Sequence, residues 1–220
     1  FIKNWQRDTG LVRAGIEPRL VDPTSKKATQ ISEDGLAALM ADFEKLFLEI
    51  MSKKKMGDPF DEKNDLGPQA SIQLRDELHE QVLKSIEQGA ELILGGSIPE
   101  MDGAFYPPTI LTNVKPGMVA FDEELFGPVA ALIKAKDEDD AINLANKSIF
   151  GLGASVFTKD VKRGERIAKE KLNAGCCFVN DFVKSDPRLP FGGIKESGYG
   201  RELSPLGIKE FVNIKTVVVN

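Results

Sequence analysis

The residues able to do chemistry gather toward the carboxyl half. The segment SDPRLPFGGIKESGYGRE, residues 185–202, sets Ser185, Arg188, Phe191 and Arg201 among four glycines and two prolines. Glycines permit left-handed backbone or close approach, and Pro187 and Pro190 hold the chain extended and rigid. This is a built loop, and such loops on a scaffold are where sites tend to be. Its composition is equally suited to packing alone. Arg188 suits a carboxylate anchor, because a guanidinium pairs bidentately with a carboxylate; Arg201 is expected to make structural bonds.

The cysteines, Cys176 and Cys177, are adjacent in NAGCCFVN. Neighbours on a strand point to opposite faces, so a disulfide between them would be strained. They read as small buried core residues, and the other reading, a nucleophile, needs a lowered pKa and a nearby base. The only histidine, His79, lies in the polar stretch RDELHEQ and is expected to be exposed. One histidine and one cysteine pair make no credible metal site, and no catalytic residue is assigned.

Alternating helical and strand signals from Glu33 onward must position these residues, and they indicate an α/β fold with a mostly parallel sheet flanked by helices. Leu36, Leu39, Met40, Phe43, Leu46, Phe47, Ile50 and Met51 recur at helical spacing and predict a long amphipathic helix. Gly57 and Pro59 break it, and Lys53, Lys54 and Lys55 read as a solvated cap at its end. A second helix is expected over residues 71–88, with Leu74, Leu78, Val82, Leu83 and Ile86 on one side. AELILGG reads as a short buried strand, and YPPTIL as an edge or entry segment because of its prolines. VAALIKA, GASVFT and AGCCFVN then read as strands separated by the helices DEDDAINLANKS and 161–172, a βαβ series. Both candidate segments, EELFGP (123–128) and the Gly-rich loop, lie beside strand ends, where open sheets bind ligands. The closing IKTVVVN reads as a strand in need of a sheet edge.

At 220 residues, 41% hydrophobic and 29% charged, the chain has the size and composition of a globular protein with a sizeable core. A net charge of −5 argues against nucleic acid as a partner, since the phosphate backbone needs a basic patch. No apolar run is long enough for a bilayer, and FIKNWQRDTG lacks a signal-peptide core. A cytoplasmic location is expected.

The Gly-rich loop resembles the PFGG…SG.GRE signature of the aldehyde dehydrogenase superfamily, and EELFGP resembles that family's glutamate-x-Phe-Gly-Pro motif. GDPFDEKNDLGP (57–68), FYPPTIL (105–111), FGLGASVFT (150–158) and FVN (178–180) are similar in the same order, and several ordered motifs are more specific than one. SDPRLPFGG and GRELSPLGIKEFVNIKT look most similar to the succinate-semialdehyde dehydrogenase branch. The resemblance divides the chain into a leader unlike the family (1–41), a catalytic-type α/β domain (42–213) and an oligomerisation strand (214–220).

The resemblance implies a cysteine thiolate attacking an aldehyde, hydride transfer to NAD or NADP, and hydrolysis of the thioester. Glu124 matches the glutamate that accepts hydrogen bonds from the nicotinamide ribose, and Phe126 the aromatic near the nicotinamide ring. Phe191 matches a wall of the aldehyde pocket, and Ser185 a hydroxyl offered to the distal carboxylate of a semialdehyde. Each has an ordinary alternative: a surface acid, core aromatics, a turn serine. The family's nucleophilic cysteine belongs upstream of GDPFDEKNDLGP, where this sequence has no cysteine, and its general-base glutamate has no match. The expectation is therefore a truncated catalytic portion, inactive alone, binding a small aldehyde and forming a homo-oligomer or pairing with a full-length relative. The alternative is a non-catalytic oligomerisation or interaction module.

Overall fold

Apolar runs bounded by capping residues become elements in the order the sequence suggests. The computed structural model describes residues 40–220 in full and, before them, only the backbone of residues 2–3, 19–21, 28–30 and 33–39. The elements are strands β1 (Ile2–Lys3), β2 (Arg19–Val21) and β3 (Ala28–Gln30), helices α1 (Glu33–Ser52) and α2 (Ile72–Glu87), and strands β4 (Glu91–Leu94) and β5 (Thr109–Thr112). There follow α3 (Val119–Asp122), β6 (Val129–Leu132), α4 (Glu138–Asn146), β7 (Phe150–Gly151) and β8 (Gly153–Val156). The chain continues with α5 (Val161–Glu170), β9 (Cys176–Val179), β10 (Ile194–Lys195), α6 (Ser204–Gly207) and a 3-10 turn at Ile208–Phe211. Most of residues 1–41, expected to form a leader, lie outside the described residues, and α1 runs unbroken through position 42.

Helix starts follow local chemistry. Ser71, Asp137 and Asp160 each accept a backbone N–H three residues on, the N-cap bond that satisfies an orphan donor. Three acidic residues occupy the first turn of α4, where they complement the helix dipole.

The largest sheet has the order β1-β6-β5-β4. β5 and β6 are parallel, whereas β4 and β1 join antiparallel at its edges. β8 and β9 form a separate parallel pair, and β7 with β10 an antiparallel one. The expected mostly parallel sheet is therefore a mixed set of small sheets. YPPTIL, expected as an edge or entry segment, supplies the central strand β5, buried along its whole length. Pro107 and Pro108 lie just before the first paired residue, so they cost the ladder no N–H, and the Thr109 N–H donates to the Pro128 carbonyl. β4, expected to be buried, is the half-exposed edge.

Period-two alternation along β5 and β6 sends side chains to two cores. Ile110 and Leu132 pack with Met51, Phe43 and Phe47 of α1. Leu111, Val129 and Ala131 pack with Leu78 and Val82 of α2, Tyr106 and Phe121. The sheet is thus covered on both faces, as buried strands require. Leu46 and Ile50 of α1 and Leu74 and Leu83 of α2 stay exposed, so the apolar stripes are broader than the contacts they make.

One local expectation is corrected, that of an exposed His79. Lys53, Lys54 and Lys55 follow directly on Ser52, the last residue of α1; Lys53 pairs with Glu49 and Lys54 with Asp65, and Lys54 holds the Asp65 carboxyl below its ordinary range. His79 is half-buried, its Nδ1 3.1 Å from the Tyr106 hydroxyl, because the helix turns it toward the core on the Leu78 side. Residues 213–220 form no strand within the single chain, and Ile214, Val217, Val218 and Val219 are exposed.

Candidate functional site

EELFGP is held by its own apolar and small residues. Leu125 is 1% exposed and anchors the segment, while Phe126, the next residue, is 59% exposed. Gly127 lets the backbone lie against α2: a Cβ there would overlap the Leu78 side chain and come within 2.6 Å of the Gln69 amide. The segment therefore buries one apolar residue and presents the next outward beside Glu124.

Glu124 and Phe126 line a groove of about 630 Å³ whose other wall is the outward face of α2. Leu74, Glu77, Gln81, Lys84 and Glu87 contribute from that helix. Sequence reading connects the exposed Leu74 and Leu83 with the core; only the helix's placement beside Phe126 reveals them as groove residues. EELFGP leads into the amino end of β6, whereas the sheet rule places ligands at carboxyl ends.

Its chemistry suits a cationic aromatic ring carrying a polyol. Carboxylates of Glu77, Glu80, Glu87, Glu123 and Glu124 outnumber Lys84, and a wall of one charge sign attracts the opposite charge. Phe126 offers a ring face to a cation, and a carboxylate can accept two hydroxyl hydrogen bonds at once. Oxidised nicotinamide riboside has both parts, so these residues fit that end of the cofactor. Among the described residues no cluster of acidic, histidine or cysteine side chains could hold a metal ion.

The Gly-rich loop is closed at its base. Phe191 and Glu202 exchange two backbone hydrogen bonds, 2.9 and 2.8 Å, and the Arg201 guanidinium donates to the Gly193 and Gly200 carbonyls, the structural bonds expected of it. Gly200 takes φ 76°, left-handed backbone that favours glycine. Gly193 packs so close to Ser197 that a Cβ would lie 2.5 Å from its side chain. Ser185 is exposed and Phe191 half-buried, and neither lines the groove of Glu124 and Phe126. The structure thus gathers the two expected cofactor residues and leaves the two expected substrate residues on a separate loop.

Arg188 is engaged locally. Its guanidinium grips both carboxylate oxygens of Asp186, at 2.9 and 2.6 Å, and this bonding lowers the Asp186 pKa and raises that of Arg188. Asp186 thus takes one side of the guanidinium fork, the side a substrate carboxylate would otherwise share.

The cysteines are less enclosed than the buried core pair that sequence reading favours. Both are free and half-buried on β9, and the Cys176 thiol donates to the Leu152 carbonyl at 3.2 Å. Burial, then the neighbouring Cys177, pushes the Cys176 thiol up to about 11, and burial raises Cys177. A nucleophile needs the opposite shift.

Comparison with known proteins agrees with the two motifs. The family model described as the aldehyde dehydrogenase family matches residues 37–217. A succinate semialdehyde dehydrogenase [NAD(P)+] of Escherichia coli K12 is 51% identical over 187 residues, which cover 85% of this chain and 40% of that protein. A succinate-semialdehyde dehydrogenase [NADP(+)] of Deinococcus radiodurans is 49% identical over 73% of this chain and 34% of its own length. The crystal structure of succinic semialdehyde dehydrogenase from Streptococcus pyogenes with NADP+ superimposes with a TM-score of 0.78 at 37% identity, over 82% of this chain and 39% of that one. Betaine aldehyde dehydrogenase from Staphylococcus aureus with NAD+ gives 0.76 at 36%, over 79% of this chain and 35% of that one. The chain spans between 34% and 40% of the length of these relatives.

Proposed function

The chain belongs to the aldehyde dehydrogenase family, and from that premise we propose that it is the catalytic-domain portion of an NAD(P)-dependent, cytoplasmic enzyme oxidising succinic semialdehyde or a close relative to the carboxylate. The observation that carries this reading is the groove in which Glu124 and an outward Phe126 stand together against α2. When bound, NAD or NADP accepts the hydride. Glu124 would accept hydrogen bonds from the ribose hydroxyls, and Phe126 would offer an apolar contact to the nicotinamide ring. Phe191 walls the aldehyde pocket, whose apolar surface favours a neutral carbonyl and excludes water, and Ser185 offers its hydroxyl to the distal carboxylate.

The attacking thiolate does not come from Cys176 or Cys177, because burial keeps both protonated. The 220-residue polypeptide should therefore be inactive alone, since loss of a nucleophile costs many powers of ten in rate. Purified chain mixed with succinic semialdehyde and NAD+ or NADP+ should yield no reduced nicotinamide above buffer. Turnover that vanishes in Cys176→Ala or Cys177→Ala would overturn this assignment.

In this reading residues 1–41 form a leader, residues 42–213 the catalytic-type domain and residues 214–220 an oligomerisation strand. The apolar, exposed Ile214, Val217, Val218 and Val219 favour pairing of that strand with a second copy or a full-length relative, because such residues gain from a sheet edge that hides them. This also keeps alive the reading of the chain as a non-catalytic interaction module. Removing residues 214–220 should reduce the oligomer size in sedimentation; an unchanged size would exclude the strand as the contact.

A further inference from the structure

We propose that a polar stripe on α2 and its C-cap, formed by Gln81, Ser85 and Gln88, sets the position of Glu124, with Gln81 as the positioning residue. The inference deepens the reading of Glu124 as the acceptor for the nicotinamide ribose and rests on it. The spacing i, i+4, i+7 places the three side chains on one helix face. That face meets α3 and the start of EELFGP.

α3 has only four residues, and its N-cap residue Met118 makes no side-chain bond to it. Its first N–H groups would be orphans. α2 supplies the acceptors: the Val119 N–H donates to Gln88 Oε1 at 2.8 Å, and the Ala120 N–H to Ser85 Oγ at 2.9 Å. Ser85 is fully buried and donates in turn to the Gln81 carbonyl at 2.7 Å, so its hydroxyl is satisfied both ways. At the other end of α3, Gln81 Nε2 donates to Glu123 Oε2 at 2.9 Å and to the Glu124 carbonyl at 3.2 Å. One amide group with two hydrogens serves both bonds.

The consequence is a segment gripped at both ends by one helix. Leu125, buried immediately after Glu124, closes the last freedom of the backbone there. The Glu124 carboxylate is left to move by its own side-chain torsions, over a main chain fixed relative to Leu74 and Glu77 on the opposite wall of the groove. A carboxylate held within a narrow range binds a diol with less loss of entropy than one carried on a moving loop.

The test uses the full chain and nicotinamide riboside as probe, with Gln81→Leu, Glu124→Gln and the double variant. Backbone ¹⁵N relaxation and riboside affinity are read for each. Gln81→Leu should lower the order of residues 123–126 while Leu78 and Val82 keep theirs, and should weaken riboside binding about fivefold, the loss expected for one net hydrogen bond. The double variant should bind no worse than Glu124→Gln, because coupled residues are non-additive. If Glu124→Gln weakens binding while Gln81→Leu changes neither affinity nor order, the positioning role is wrong and the reading of Glu124 stands. A wild-type chain that does not bind the riboside, or a Glu124→Gln variant that binds it equally well, overturns both.

Discussion

Replacing Glu124 with Gln should weaken nicotinamide riboside binding by about tenfold while leaving the thermal unfolding of the chain unchanged. Glu124 is exposed at the groove wall, so the fold does not depend on its charge. A hydrogen bond to a charged acceptor contributes roughly 1.5–3 kcal/mol, and the amide keeps one acceptor oxygen while losing the attraction for the pyridinium. The same attraction predicts weaker binding at higher ionic strength, since charges at an open groove are screened within about 10 Å at 0.1 M salt. Titration calorimetry at two salt concentrations measures both effects. Equal affinity of the two proteins would mean that Glu124 is a surface acid.

The largest effect on stability is expected at Tyr106. It is 1% exposed and packs with Leu78 and Val82 beneath α2; burial pushes its hydroxyl pKa up to about 12. Tyr106→Ala removes a large buried ring and leaves His79 without the hydroxyl at 3.1 Å. The cost should be about 3–5 kcal/mol, the range for aromatic-to-alanine changes in a core, and the melting temperature should fall by about 10 °C for a chain of this size. Chemical denaturation followed by circular dichroism gives the difference directly. A loss below about 1 kcal/mol would show that the wall under α2 can collapse around the missing ring.

These two sites differ in how far the sequence announces them. Ser71, Asp137 and Asp160 are local signals, and the helices they start lie where periodicity puts them. The motif EELFGP is equally local, and Glu124 and Phe126 emerge side by side. What sequence reading misses depends on which element becomes a neighbour. The prolines before Thr109 look like a bar to a central strand until their position outside the ladder is seen. His79 reads as a solvated residue because Tyr106, its partner, is 27 positions away. Gln81, Ser85 and Gln88 look like ordinary polar helix residues; their spacing was visible, but nothing in it told that α3 would dock there. Arg188 looked available as an anchor, and the neighbour that engages it, Asp186, is two residues away.

The central claim is that the groove between α2 and EELFGP receives the nicotinamide end of the cofactor. Mapping the amide shifts of ¹⁵N-labelled chain during a nicotinamide riboside titration tests it most directly. The account predicts saturable shifts at residues 123–127 and along the Leu74, Glu77 and Gln81 face of α2, with little change at residues 185–202. Shifts confined to the Gly-rich loop, or none that saturate, would contradict it.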